Sequence, residues 1–201
     1  MILAKQKLRK NGNSIMLPDR EGTENIRLRN DNTEGLQMNE YQTLTHSFAP
    51  VFDRNSEILI LGTFPSVKSR ENNFYYGHPQ NRFWKVLAAI RAFPVPQTTE
   101  EKKKFLLEQH IAIWDVIERC DIIGSSDSTI KNVTPADLSL ILKQAPIRNI
   151  YGNGGKACEL YQKYSRPVTG REIIRLPSTS PANAAWTLER LISAWSVVNE
   201  S

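Results

Sequence analysis

Cysteine and histidine are both scarce: two of the first, Cys120 and Cys158, and three of the second in 201 residues. Two cysteines cannot supply a disulfide framework or a four-cysteine zinc or iron–sulfur site, and they read as small buried residues of a reducing compartment. No apolar run reaches the roughly 20 residues that cross a bilayer. The N-terminal KQKLRKNGNS is not followed by the apolar stretch of a secretory signal. These absences argue against a membrane partner and for a cytoplasmic location. Neither sign of charge dominates. The 26 Lys and Arg against 21 Asp and Glu leave +5, a mild bias towards anionic partners such as nucleic acid. A phosphate loop is also missing. Gly152-Asn153-Gly154-Gly155-Lys156 invites that reading, but Ile150 and Ala157 stand where Gly and Ser or Thr are needed. It reads instead as a strand-to-helix turn, with a backbone contact to a DNA phosphate as the alternative. His46 and His110 have no sequence neighbours that suggest metal or nucleophilic chemistry, and spacing supports no Ser-His-Asp set.

Two regions differ in composition. Residues 1 to about 45 are polar and without period, as in a disordered tail or an upstream extension with Met38 as the start. Residues 46–201 alternate strand and helix patterns. Ile58-Leu59-Ile60-Leu61, stopped by Gly62, reads as a strand covered on both faces. Phe83, Val86, Leu87 and Ile90 recur at helical spacing. Thr98 and Glu101 form a capping box. Ile111–Trp114, 147–151 and 172–176 are further strands. Thr134-Pro135 predicts a helix start leading to Leu138, Ile141 and Leu142, and Pro181 one leading to Leu188, Leu191, Ile192 and Trp195. Strands separated by helices pair in parallel with right-handed crossovers. The expectation is a three-layer α/β/α sandwich with a central parallel sheet of about four strands. Ligands bind at the carboxyl ends of such strands, which singles out GTFPS after the first and PSTSPAN after the fourth.

In Gly62-Thr63-Phe64-Pro65-Ser66 the glycine permits close backbone approach and the proline stiffens the turn. Asp115, just past the second strand, reads as a helix cap or structural residue, with a catalytic carboxylate as the alternative. Trp84 and Trp114 read as core. Asn81 reads as a cap for a helix beginning at Arg82, or as an amide that both donates and accepts at a site. Lys68 and Arg70 are phosphate contacts or solvated charges.

Together, GTFPS, Tyr75-Tyr76-Gly77-His78-Pro79-Gln80-Asn81-Arg82-Phe83-Trp84 and Leu176-Pro177-Ser178-Thr179-Ser180-Pro181-Ala182-Asn183 resemble the two motifs of the uracil-DNA glycosylase superfamily, in the right order. Within it the chain is most similar to the hypoxanthine (deoxyinosine) branch, from about Phe48 to Trp195. The resemblance implies base excision repair: a monofunctional, monomeric DNA glycosylase that flips and hydrolytically excises deaminated bases. Hypoxanthine is the chief expected substrate, with uracil and xanthine as others. It implies no metal or cofactor, and no lysine in the motifs suggests Schiff-base chemistry. By the same resemblance Asn81 is catalytic. Gly62, Thr63, Phe64, Pro65 and Tyr76 surround the base, with Tyr76 stacking on it. Lys68, Ser178, Ser180 and Asn183 contact DNA, Ser180-Pro181 aiming a helix N-terminus at a phosphate. Phe64 departs from the mismatch-specific enzymes, which carry a water-positioning Asn there, and matches the hypoxanthine branch. A phenyl ring neither orients nor deprotonates water. Two alternatives therefore stand beside this reading: an enzyme acting mainly on uracil, and a non-catalytic reader of damaged DNA.

Overall fold

The computed structural model describes residues 40–200. The tail or extension expected over 1–45 falls mostly outside them. Its boundary is nevertheless too late, because Gln42–Thr45 forms strand β1. The segment QTLT has only Leu44 to bury. What holds it is backbone pairing, antiparallel to β4 (Ile117–Ile122), with Leu44 opposite Cys120.

β2 (Ile58–Gly62) is buried at every position. It lies between β3 (Ile111–Asp115) and β6 (Asn149–Asn153), with β7 (Ile174–Leu176) outside β6, and all three pairings are parallel. The order β3-β2-β6-β7 is the four-stranded parallel sheet expected from the apolar runs. Successive side chains point to opposite faces, so β2 serves two cores. Ile58 and Ile60 pack with Phe83, Val86 and Leu87 of α2 (Phe83–Ile90), Phe105 and Leu106 of α3 (Thr99–Glu108), and Leu191 and Trp195 of α7 (Leu188–Trp195). Leu59 and Leu61 pack with Ile141 of α4 (Ser139–Leu142), Leu160 of α5 (Gly155–Leu160) and Val116, Ile117, Cys120 and Ile122. Helices thus cover both faces, as a run without polar positions demands. Each fully buried Ile or Leu stabilises by about 1.5–3 kcal/mol.

Among the helices, the α3 cap is as expected: Thr98 Oγ1 accepts from Glu101 N at 3.1 Å, and Glu101 Oε2 accepts from Thr98 N at 3.1 Å. After α5 the chain continues through a π turn (Tyr161–Ser165) into α6 (Arg166–Thr169), ended by Gly170 in the left-handed region.

Three elements depart from expectation. A second, antiparallel sheet of order β1-β4-β5 joins the first. Thr134-Pro135 is not a helix start but the end of its strand β5 (Lys131–Pro135), with Pro135 opposite Ile117. Pro135 lacks the N–H a ladder needs, and the end of an edge strand tolerates that. β1 (Gln42–Thr45) and β4 (Ile117–Ile122) escape sequence reading because they are polar and irregular; β4 shifts register against β5 at two places.

Candidate active site

The parallel strands reverse order at β2. The chain steps from β2 out to β3, then crosses back to β6 on the other side. The carboxyl ends of β2 and β6 therefore lie at the switch point where sheets of this kind bind ligands, and GTFPS leaves β2 there. Gly62 is required by space: a Cβ on it would stand 2.1 Å from Asp115 Oδ1 and 3.2 Å from the Tyr76 hydroxyl oxygen. Thr63, Phe64 and Pro65 are buried. Phe64 turns into the Leu59 core and meets the His46 ring edge-on, centroids 6.2 Å apart. Ser66 then caps α1 (Val67–Glu71), its Oγ accepting from Ser69 N at 3.2 Å. This short helix stands where the sequence suggested loop.

Two expectations made residue by residue need correction here. Asp115 caps no helix, because β4 follows it directly. Its Oδ2 lies 2.9 Å from His46 Nε2, with the two side chains 6% and 3% exposed. His46, which has no chemical partner in sequence, has one in space. Its Nδ1 is buried without a hydrogen-bond partner among the described residues.

The block Asn81-Arg82-Phe83-Trp84 assigns one tie to each residue. Asn81 Oδ1 accepts from Phe83 N at 3.0 Å, holding the start of α2, and from Thr179 Oγ1 at 2.9 Å. The cap reading of Asn81 is the one observed. The oxygen is engaged as a cap, and the Nδ2 donors make no hydrogen bond to the described residues. Arg82 spreads over the second motif. Its backbone N–H and Nε donate to Thr179 O, Nη2 donates to Ser180 O at 2.6 Å and Asn183 O at 3.1 Å, and Nη1 donates to Trp186 O. Phe83 stacks on Tyr76, centroids 3.9 Å apart and planes 20° from parallel. Trp84 is core, its Nε1 donating to Tyr75 O at 3.3 Å.

Tyr76 itself has φ of +51°, a conformation unfavourable for a bulky residue and worth a functional explanation. Its hydroxyl is buried, lies near the Asn153 amide and the Asp115 carboxylate, and makes no well-formed hydrogen bond to the described residues. Burial, reinforced by the Asp115 charge, holds the phenol well above its ordinary pKa.

The second motif is organised by Thr179. This fully buried residue donates its N–H to Asn153 Oδ1 at 3.0 Å, and its Oγ1 accepts from Asn153 Nδ2 at 2.9 Å. Asn153 of the GNGG turn is thus a staple between β6 and the loop after β7, and Thr179 passes that staple on to Asn81. Ser178 packs against Gly154, and its Oγ accepts from Ser180 N at 3.2 Å. Ser180 Oγ accepts from Ala182 N at 3.3 Å. Asn183 Nδ2 donates to Ser178 O at 2.8 Å. No helix begins at Pro181: the segment runs in turns, and α7 (Leu188–Trp195) is capped by Thr187, whose Oγ1 accepts from Arg190 N at 3.3 Å. Ser180 O and Asn183 O each accept from the N–H three residues on, as in turns, and also from Arg82 Nη2.

Lys68 is exposed and paired with Glu71 at 2.6 Å. Arg70 turns inward, donating to Pro65 O at 2.6 Å and to Gly124 O at 3.4 Å. It therefore ties GTFPS to the loop between β4 and β5. That loop carries a residue no sequence signal marked, Asp127, half-buried and facing the Thr63 hydroxyl. Burial holds its carboxyl above the ordinary range; the Thr63 hydroxyl opposes this, while the Asp115 charge adds to it. Among the described residues no three His, Cys, Asp or Glu side chains gather as a metal site requires, and no helix is long and apolar enough to cross a membrane. Two recessed surfaces elsewhere, one lined by Gln162, Arg166, Pro167 and Gly170 and one by Phe52, Asp53, Arg54 and Gln144, carry none of the motif residues.

A family model described as the uracil DNA glycosylase superfamily matches residues 49–199. The chain is 38% identical over 157 residues to a hypoxanthine DNA glycosylase of Methanosarcina acetivorans, covering 77% of this chain and 98% of that protein. It is 34% identical over 150 residues to a hypoxanthine DNA glycosylase of Methanosarcina barkeri, covering 74% and 93%. A solution NMR structure from Methanosarcina acetivorans, described as a candidate uracil DNA glycosylase, superposes with a TM-score of 0.65 at 37% identity, over 75% of this chain and 93% of that one.

Proposed function

The chain belongs to the uracil DNA glycosylase superfamily, and we propose that it is a monofunctional DNA glycosylase that excises deaminated bases, chiefly hypoxanthine, from DNA. The observation that carries this reading is the Asn81 carboxamide. Its oxygen is fixed by Phe83 N and Thr179 Oγ1, one from each motif, so its two N–H donors are held in place with no acceptor among the described residues.

A base inside a duplex is out of reach, so it is flipped into a pocket. Tyr76, backed on one face by Phe83, offers the other to the flipped base, and aromatic stacking of this kind is worth about 1–3 kcal/mol per base. Gly62 lets the ring and its hydroxyl come close to the end of β2. As the bond from C1′ to the base nitrogen breaks, its electron pair leaves with the base and positive charge grows on the sugar. An Asn81 N–H aimed at the base oxygen or ring nitrogen stabilises that departing charge. A fixed donor of this type contributes about a hundred- to a thousandfold in rate. Ser178, Ser180 and Asn183 lie on the loop, and Lys68 on the short helix α1, that would track the DNA strand. The backbone of the Ser178–Asn183 turn, held rigid by Arg82, is the part best prepared to meet phosphates.

The test is excision from duplexes that each carry one hypoxanthine, uracil or xanthine, read as strand cleavage at the abasic product after alkali. Hypoxanthine should be released fastest. Fastest release of uracil would move the substrate assignment, and release of none of the three would overturn the glycosylase reading.

A further inference from the structure

Hydrolysis at C1′ needs a water aligned on the face opposite the leaving base and a group to take its proton. Phe64, which stands where the mismatch-specific enzymes carry a water-positioning Asn, has no hydrogen-bonding side-chain atom and is turned into the Leu59 core. Asn81 Oδ1 is committed to Phe83 N and Thr179 Oγ1. Two carboxylates remain in contact with this end of the sheet. Asp115 is 6% exposed, and its Oδ2 is engaged by His46. Asp127 is partly buried, and its carboxyl interacts with the hydroxyl of Thr63, the residue immediately before Phe64.

Its place is built, not incidental. The loop from Ile123 to Ile130 is closed on itself by Ile123 N donating to Thr129 Oγ1 at 3.0 Å and Thr129 N donating to Ser126 O at 2.9 Å. It is fastened to the first motif by Val67 N donating to Ser125 Oγ at 2.8 Å and by Arg70, which bonds Pro65 O and Gly124 O together. The charged and titratable groups near enough to act on Asp127 are Asp115 at the end of β3, Tyr76 of the aromatic loop, Lys156 at the start of α5 and Cys120 of β4, with His46 paired to Asp115.

We infer that Asp127 is the general base of the reaction, taking a proton from the water that attacks C1′. In that step the water oxygen forms a bond to C1′ and the bond from C1′ to the base nitrogen breaks with its electron pair on the base. The water proton passes to the Asp127 carboxylate, and the departing base is protonated from solvent. Burial, which holds Asp127 above the ordinary carboxylate range, makes it a stronger base than an exposed aspartate. This role rests on the glycosylase reading above, and the experiment separates the two.

Single-turnover excision of hypoxanthine is measured with the full chain across a pH series for wild type, Asp127→Asn and Thr63→Val. Loss of a general base lowers rates by about a hundred- to ten-thousandfold, and Asp127→Asn should fall by at least about a hundredfold while duplex binding is kept and Tm is not lowered. The wild-type rate should decline on the acid side, and Asp127→Asn should lack that decline. Thr63→Val leaves Asp127 in place but removes the hydroxyl that favours its charged form, so the acid limb should move to higher pH; a structural role would not move it. If Asp127→Asn folds poorly, the Thr63→Val profile decides alone. Wild type active and Asp127→Asn equally active with the same acid limb, or an unmoved limb in Thr63→Val, would overturn this role and leave the glycosylase reading standing. A wild type that excises none of the three bases would overturn both.

Discussion

At Asn81 one side chain holds two roles on two atoms, and substitution separates them. Asn81→Asp keeps an oxygen for Phe83 N and Thr179 Oγ1 but has no N–H to donate. It is expected to fold with Tm little changed and to lose about a hundredfold or more of excision. Asn81→Ala also loses the cap, an additional cost of about 1 kcal/mol. Excision by Asn81→Asp at the wild-type rate would reduce Asn81 to a cap. Tyr76 gives a second residue-scale expectation. Its hydroxyl is buried and poorly satisfied, so Tyr76→Phe should keep or raise Tm, by up to about 1 kcal/mol, and keep the stacking face. Tyr76→Ala should lose damaged-base affinity, checked by competition binding. Asp127 carries a stability cost of known sign. A carboxyl whose folded-state pKa is raised binds its proton more tightly in the native than in the unfolded chain. Stability is therefore lost as pH rises through the folded value. Asp127→Asn should show a higher Tm than wild type at pH 7, and the difference should close at acid pH, where both side chains are neutral.

Among the elements, the loop after β7 (Ile174–Leu176) shows most clearly how a local signal loses to a tertiary one. Ser180-Pro181 has the residues of a helix start, and in isolation nothing opposes that reading. In the fold the Arg82 guanidinium bonds the carbonyls of Thr179, Ser180, Asn183 and Trp186. Ser180 O and Asn183 O also accept from the N–H three residues on, so the segment is held in successive turns, and the helix starts only after its cap at Thr187. Arg82→Lys replaces a planar fork with a point charge that cannot serve several carbonyls at once. It should destabilise by about 2–4 kcal/mol, read by chemical denaturation. Excision should also fall, because Thr179, which orients Asn81, lies in the loop released. A variant of unchanged stability would remove Arg82 from this role. The parallel strands, by contrast, were legible from composition: Ile58 to Leu61 has no polar position and must be covered on both faces. β4 was not, since IERCDI mixes charged and apolar residues and its register against β5 shifts twice. Irregular pairing destroys the alternation by which a half-buried strand is recognised.

For the whole molecule, a net charge of +5 is modest, so DNA affinity should come from a few phosphate contacts and not from a broad basic field. Affinity for undamaged duplex should then fall as salt rises, with a shallow slope of log affinity against log salt, about 0.9 per phosphate neutralised. Anisotropy titrations at increasing salt would check it, and a slope near zero would contradict phosphate-based docking.

The sequence by itself determined the four parallel strands, the helices over both faces, and the motif blocks in which Gly62, Tyr76 and Asn81 stand. Each of these is written locally, as an apolar run, a helical period or a contiguous block. Only the tertiary structure decided which atoms of those residues are free. It spent the Asn81 oxygen on Thr179, paired His46 with Asp115, turned Phe64 into the core and brought Asp127 to Thr63. Such pairings join segments far apart in the chain, and their side chains meet only because the parallel sheet gathers the carboxyl ends of its strands along one edge.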